Sequence, residues 1–138
     1  MQYSAKVIAH FQNPKNNHKM NDADSIGKVY NPYDCGDMVK IYLKSDGEIV
    51  KDITFECVGC PAAIASASVF TEMAKGKSVS EVLKITRQDV AAALGGLPEN
   101  KINCSVISCD AFRKAVKKLE KKSAQGGKGG LLKRLFKK

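Results

Sequence analysis

Met38-Val39-Lys40-Ile41-Tyr42-Leu43, then Ser45-Asp46-Gly47-Glu48, then Ile49 through Cys57, is the stretch on which the fold turns. The flanking segments alternate as strands do. Asp46-Gly47 supplies residues that accept positive φ, so a two-residue type I′ turn joining two antiparallel strands is expected. Upstream, Ile26 to Tyr33 reads as a third strand, with Pro32 confining its end to a sheet edge. The economical arrangement is a three-stranded antiparallel meander.

Beyond Cys60 the apolar period changes to that of a helix. Pro61 suits a first helical turn, where its missing N–H costs nothing. Ala62 to Ala74 follows, with Ile64, Ala65, Ser68, Val69 and Met73 on one side, Thr71 and Glu72 on its surface, and Gly76 as the stop. Ser78-Val79-Ser80-Glu81 has the form of a capping box, and Thr86 caps a further helix ending at Gly95-Gly96. Leu97 to Lys101 reads as a loop, and Ser105 to Ser123 as the longest helix. Before the strands, Ser4 caps a helix bearing Tyr3, Val7, Ile8 and Phe11 on one face, and Lys15 to Asp24 is a polar loop. The class is α+β, a three-stranded antiparallel sheet packed against helices as two layers.

The 138 residues suffice for one domain, assigned to 1–123, with 124–138 as a flexible basic tail. The net charge of +9 belongs to the C-terminal segment. From Arg113 to Lys138 there are eleven Lys/Arg and one acid, whereas residues 1–112 carry a net of −1. This tail lacks aromatics until Phe136, which argues against nucleic acid, and reads as a solvated appendix. No apolar run reaches the ~20 residues of a membrane span, and the start resembles no secretory signal. A cytoplasmic protein with five reduced cysteines is expected, a setting in which thiols more often serve metals or catalysis than disulfides.

Cys35, Cys60 and Cys104 fall at the edges of expected elements, and Asp37 follows the first by two residues. Three soft thiolates and one hard oxygen make an imperfect four-ligand set for iron or zinc. Cys60 and Cys104 each precede a helix, whose N-terminal dipole is expected to lower a thiol pKa. Cys57 continues the alternation of Ile53 and Phe55 and reads as a core-facing strand residue. With Cys60 it also forms Cys-x-x-Cys, so a redox or auxiliary-ligand role stays open. Cys109 reads as packing, His10 as helix surface or satisfied packing, and His18 as a solvated loop residue.

Tyr3-Ser4-x-Lys6-Val7-Ile8-x-His10-Phe11-x-Asn13-Pro14-x-Asn16, Cys35-Gly36-Asp37, Gly59-Cys60-x-Ala62-x-Ile64-Ala65-Ser66-x-Ser68 and Leu97-Pro98-x-x-Lys101-Ile102-x-Cys104-Ser105 together resemble the IscU/NifU N-terminal family of iron–sulfur cluster scaffolds. The resemblance implies a non-enzymatic scaffold that takes sulfur from a cysteine desulfurase, combines it with iron, usually as a 2Fe-2S cluster, and passes the cluster to acceptor apoproteins. Ferredoxin or an iron donor are further candidate partners, and a homodimer sharing one cluster stays open. By the same resemblance Cys35, Asp37, Cys60 and Cys104 hold the cluster, Asp37 makes it labile, Cys104 accepts sulfur and Lys101 stands beside it. Zinc is a candidate occupant of the cluster-free site.

Three departures from the family pattern bear on this. Asn103 stands where many members place a histidine, so the fourth position falls more heavily on Asp37 or on a partner's cysteine. Glu99-Asn100 interrupts the Leu-Pro-Pro-Val-Lys run read by a dedicated Hsp70-type chaperone in bacterial relatives, which weighs against that partner. Cys57 and Cys109 are additional thiols. Two competing classes follow from the residues: a thiol–disulfide redox protein using Cys57-Val58-Gly59-Cys60, and a structural zinc domain.

Overall fold

Ser25–Tyr30 (β1), Met38–Ser45 (β2) and Val50–Val58 (β3) form one antiparallel sheet in the order β1-β2-β3, the meander expected from the alternation. The computed structural model describes residues 3–30 and 37–125, with the backbone alone at 99, 100, 103 and 122–125. Cys35, the end of the expected first strand at 31–33, and the Gly-rich linker and basic appendix at 126–138 lie outside the described residues. Around the sheet run α1 (Ala5–Gln12), α2 (Pro61–Ala74), α3 (Val79–Leu83), α4 (Arg87–Ala93), a 3-10 turn (Glu99–Ser105) and α5 (Val106–Gln125).

Register sorts the two sheet faces. Val29, Val39 and Cys57 lie opposite one another across the three strands, as do Gly27, Ile41 and Phe55, and Ser25, Leu43 and Ile53. These rows face the helices, and Val39, Ile41, Leu43, Ile53 and Phe55 are fully buried. Phe70 of α2 meets Phe112 of α5 edge-to-face, with ring centroids 5.7 Å apart. Close approach of α5 to β1 requires Gly27. A Cβ there would stand 1.9 Å from the Ala111 carbonyl oxygen and 2.6 Å from the Ala115 nitrogen.

Several local expectations are corrected. Ser45 pairs with Val50, so the hairpin loop is the four residues 46–49 and not a two-residue type I′ turn. Gly47 takes positive φ (101°) but Asp46 does not. The Asp46 carboxylate instead accepts from the Glu48 and Ile49 amides at 2.9 and 3.1 Å, a side-chain turn that competes with the backbone one. Ser78 caps α3 through the Glu81 amide, but the Glu81 carboxylate accepts from the Ser78 hydroxyl, and the reciprocal box forms at Thr86 and Asp89. In α1 only Val7 is buried, and Ile8 and Phe11 are exposed because the helix meets α2 along one narrow line. His10 shares that line, its Nδ1 lying 2.7 Å from the buried Ser68 hydroxyl.

α2 is not one-sided. Ten of its fourteen residues are buried, because α1 covers it on one side and β3 on another. Its Ala and Ser residues permit that double approach. Thr71, expected on the surface, is buried and donates to the Ser68 carbonyl. Residues expected to be a loop after Leu97 instead wind into the 3-10 turn, with Pro98 fixing the entry and the Lys101 amide bonding its carbonyl at 2.7 Å. The turn carries Cys104 into the core below α2.

Gly27→Ala is expected to cost about 1–3 kcal/mol, since the added carbon meets backbone that cannot rotate away. A urea unfolding midpoint unchanged from the parent chain would refute the tight α5–β1 approach.

Candidate metal centre

Asp37 immediately precedes β2 and Gly59 immediately follows β3, so continuing the register sets them opposite each other. The contact is close: a Cβ on Gly59 would fall 2.6 Å from Asp37 Oδ1 and 3.2 Å from the Ala63 Cβ. Only a residue without a side chain lets the carboxylate lie here, against the first turn of α2. Asp37 is 4% exposed, and its Oδ1 accepts from the Cys60 amide at 3.2 Å. Buried carboxylates need such partners, and a helix N-terminus supplies one together with a favourable dipole.

Cys60 is the N-cap residue of α2, set by Pro61 at the first helical position. Its Sγ lies 3.7 Å from Cys104 Sγ and 3.9 Å from Asp37 Oδ2, and Cys104 Sγ lies 3.7 Å from the same carboxylate oxygen. One ligand atom from each of Asp37, Cys60 and Cys104 thus falls within 4.8 Å of the others. Residues 23 and 44 positions apart meet because the sheet end, the α2 N-terminus and the 3-10 turn share one corner of the fold.

The two thiols do not ionise alike. The Cys60 thiol is lowered to about 6, chiefly by the hydrogen bond from Cys104, with the Ala63 amide and the Lys101 cation assisting against burial and Asp37. The Cys104 thiol is raised, because it donates to the Cys60 sulfur and is buried beside that charge. The expectation that both helix-preceding thiols are acidified therefore holds for Cys60 only. Cys104 precedes α5 through a 3-10 turn and sits in the core, where desolvation and a neighbouring thiolate outweigh any dipole. Of the two, Cys104 holds its proton to the higher pH, so between the two titrations the pair carries one proton.

Among the remaining expected residues, Lys101 lies in the 3-10 turn and its cation reaches Cys60 and Cys104 electrostatically. Asn103 lies in the same turn, and its side chain is outside what is described. Cys57 is half-buried on the helix-facing side of β3, packed against the core, and burial pushes its thiol up to about 12 with Asp37 and Cys60 adding to the rise. Cys109 is buried one helical turn beyond Ser105, whose carbonyl it faces. Tyr3, read from spacing as part of an apolar helix face, stands beside the site: burial raises its phenol, Cys60, Cys104 and Asp37 add to the rise, and Lys101 opposes it. Gly59 enters the sequence reading only as the first residue of the Gly59-Cys60 motif, and a glycine in a motif does not announce the carboxylate that packs against it.

The donor set suits a thiophilic transition metal, two sulfurs and a carboxylate oxygen being close enough to share one ion. A thioredoxin-type use of Cys57-x-x-Cys60 needs a parallel βαβ setting, whereas the sheet here is antiparallel.

An α+β domain that gathers thiols and one carboxylate at the end of its sheet defines the class: a small protein built around a metal or cluster site. Residues 2–126 match the family model described as NifU-like N terminal domain, and the chain belongs to that family. It is 54% identical over 114 residues to "Iron-sulfur cluster assembly scaffold protein IscU 1" of Archaeoglobus fulgidus, covering 83% of this chain and 74% of that protein. Over 118 residues it is 37% identical to the IscU scaffold of Aquifex aeolicus, covering 84% and 74% of the two chains. In fold it is similar to a putative iron–sulfur scaffold protein of Fervidobacterium islandicum (TM-score 0.67, 24% identity, 83% of this chain and 96% of that one). A NifU-like N-terminal protein of Brucella abortus gives the same TM-score at 18% identity, over 86% and 94% of the two chains.

Alkylation of Cys60 in the metal-free protein is expected to rise with pH about a midpoint near 6, because the reactive form is the thiolate and its fraction grows above the pKa. Cys104→Ala removes the main acidifying donor, so the midpoint should move up. Peptide mass spectrometry of a pH series measures both, and an unmoved midpoint would discard the shared-proton account.

Proposed function

We propose that this chain is a scaffold on which an iron–sulfur cluster is assembled from iron and desulfurase-derived sulfur, and from which it passes to acceptor apoproteins. The observation that carries this reading is the convergence of Asp37, Cys60 and Cys104 within 4.8 Å in a member of the NifU-like N-terminal family. The relatives named as iron–sulfur cluster assembly scaffolds support it. Cys35 completes the ligand set by resemblance. The cluster is cargo of the 2Fe-2S type, the site in its cluster-free state suits zinc, and no covalent chemistry on a small substrate is required of the chain.

Each residue has a physical task in this reading. Cys60 offers a thiolate near neutral pH, the form that binds metal. Metal arrival displaces the proton held by Cys104, so binding releases protons to solvent. As the sulfur acceptor, Cys104 must first lose that proton, with the Cys60 sulfur 3.7 Å away to take it. The Cys104 sulfur then attacks the terminal sulfur of the desulfurase persulfide, a new S–S bond forms, and the desulfurase cysteine leaves as thiolate. Lys101 holds negative charge on the sulfurs. Asp37 supplies a harder, weaker ligand than a fourth thiolate, which suits a cluster that must leave.

The partners of this reading are a cysteine desulfurase and apo-acceptors, in a reducing cytoplasm. Among the described residues no helix is long and apolar enough to cross a membrane.

Anaerobic incubation with ferrous iron, cysteine and a desulfurase is expected to give a red-brown protein whose visible absorption disappears on adding an apo-ferredoxin. A chain that keeps zinc and refuses iron is a structural zinc domain, and one that reduces insulin disulfides without metal is a redox protein. Asp37→Ala is expected to lengthen the bound cluster's lifetime and slow its transfer. Unchanged decay of the absorption would remove Asp37 as the labilising group.

A further inference from the structure

Two of the three ligand atoms gathered at the corner are free thiols in contact with each other. Cys60 Sγ and Cys104 Sγ lie 3.7 Å apart. A disulfide draws its sulfurs to about 2.05 Å, a shortening that rotation of two touching side chains can supply. The elements that carry them, α2 and the 3-10 turn, pack on each other, so neither sulfur has to be brought in from elsewhere. Exposure is unequal. Cys60 is partly exposed at the N-cap of α2, whereas Cys104 is 2% exposed. An oxidant arriving from solvent therefore meets Cys60 first, with Cys104 behind it, the relation of an attacked thiol to its resolving partner. Asp37 Oδ2 lies 3.9 Å from one sulfur and 3.7 Å from the other, so the atoms that a disulfide would join are two of the donors a metal would use.

We propose that Cys60 and Cys104 form a reversible disulfide when a peroxide reaches the metal-free corner, and that this bond closes the site to metal. The Cys60 sulfur attacks one peroxide oxygen and the O–O bond breaks. Cys60 becomes a sulfenic acid, and the departing hydroxide takes up the thiol proton as water. The Cys104 sulfur then attacks the Cys60 sulfur, the S–O bond breaks, and the Cys104 proton leaves with that oxygen as a second water. Two thiols and one peroxide thus give one disulfide and two waters. A small-molecule thiol reverses the change by exchange. Of the three donors, the oxidised corner keeps only the Asp37 carboxylate. A bound metal in turn occupies both sulfurs and shields them from the peroxide. Oxidation and loading therefore exclude each other, and the chain accepts metal only where its thiols stay reduced. The inference stands on the sulfur–sulfur contact and rests on the scaffold reading only for the assembly that the closed state interrupts.

The test treats the full chain, reduced and freed of metal with a chelator, with a slight excess of hydrogen peroxide. Remaining thiols are alkylated under denaturing conditions and the peptides mapped by mass spectrometry. A Cys60–Cys104 link within the monomer, lighter by two hydrogens and split by dithiothreitol, is the expected main product. Zinc bound beforehand should slow its appearance at least tenfold, and the oxidised chain should bind zinc at least tenfold more weakly until it is reduced. Cys104→Ser should leave a Cys60 sulfenic acid that dimedone traps. The parent-chain map decides the question should that variant not fold. Linkage of either cysteine chiefly to another thiol, sulfinic acid on Cys60 with Cys104 untouched, or undiminished zinc binding after oxidation overturns the proposal. The reduced chain is also given iron, cysteine and a desulfurase. A cluster there without the link under peroxide strikes this proposal alone, whereas the link without a cluster upholds it and strikes the scaffold reading.

Discussion

The contact between the Asp37 carboxylate and the first turn of α2, made over the bare backbone of Gly59, governs the rest of the site. It ties the start of β2 to the end of β3 and to the helix that follows, so three elements end at one place. The Cys60 amide satisfies the carboxylate, and the carboxylate in turn lies 3.9 Å from the Cys60 sulfur and 3.7 Å from that of Cys104. Three potential anions confined in a buried corner repel one another unless a proton or a cation lies between them. The protein resolves this without metal by keeping the Cys104 proton and by bringing Lys101 near. A metal ion would resolve it as well, which is why the donor set suits one.

In the scaffold reading the same arrangement gives a loose grip. Sulfur is soft and oxygen hard, so an iron site with one carboxylate is weaker than an all-thiolate one. The sheet register places the carboxylate diagonally across from the half-buried Cys57 on the helix-facing side of the sheet. α2, buried on several sides among Ala and Ser residues, fixes Cys60 at this corner.

Much of the fold was legible because its signals are local. Alternation in β2 and β3, Pro61 at a helix start and the Ser4 and Thr86 caps each depend on a few consecutive residues, and each element formed where expected. What misled were places where a distant partner decides. Thr71 looks like helix surface until α1 and the Asn16 segment cover it. The Asp46-Gly47 turn reads as type I′ until the Asp46 carboxylate takes two amides for itself. Ile8 and Phe11 have helical spacing but no facing element to bury them among the described residues.

By itself the sequence determined the α+β class, the meander, and the identity of the thiols and the carboxylate, since residue type and spacing carry that information. Only the tertiary structure decided which of them share a corner and in what protonation state. A pKa depends on burial and on charges a few ångströms away, and neither can be read from positions 37, 60 and 104 along a chain. The opposite shifts of two cysteines, each placed before a helix, are the clearest instance: the helix start is a local feature, but the sulfur 3.7 Å away is not.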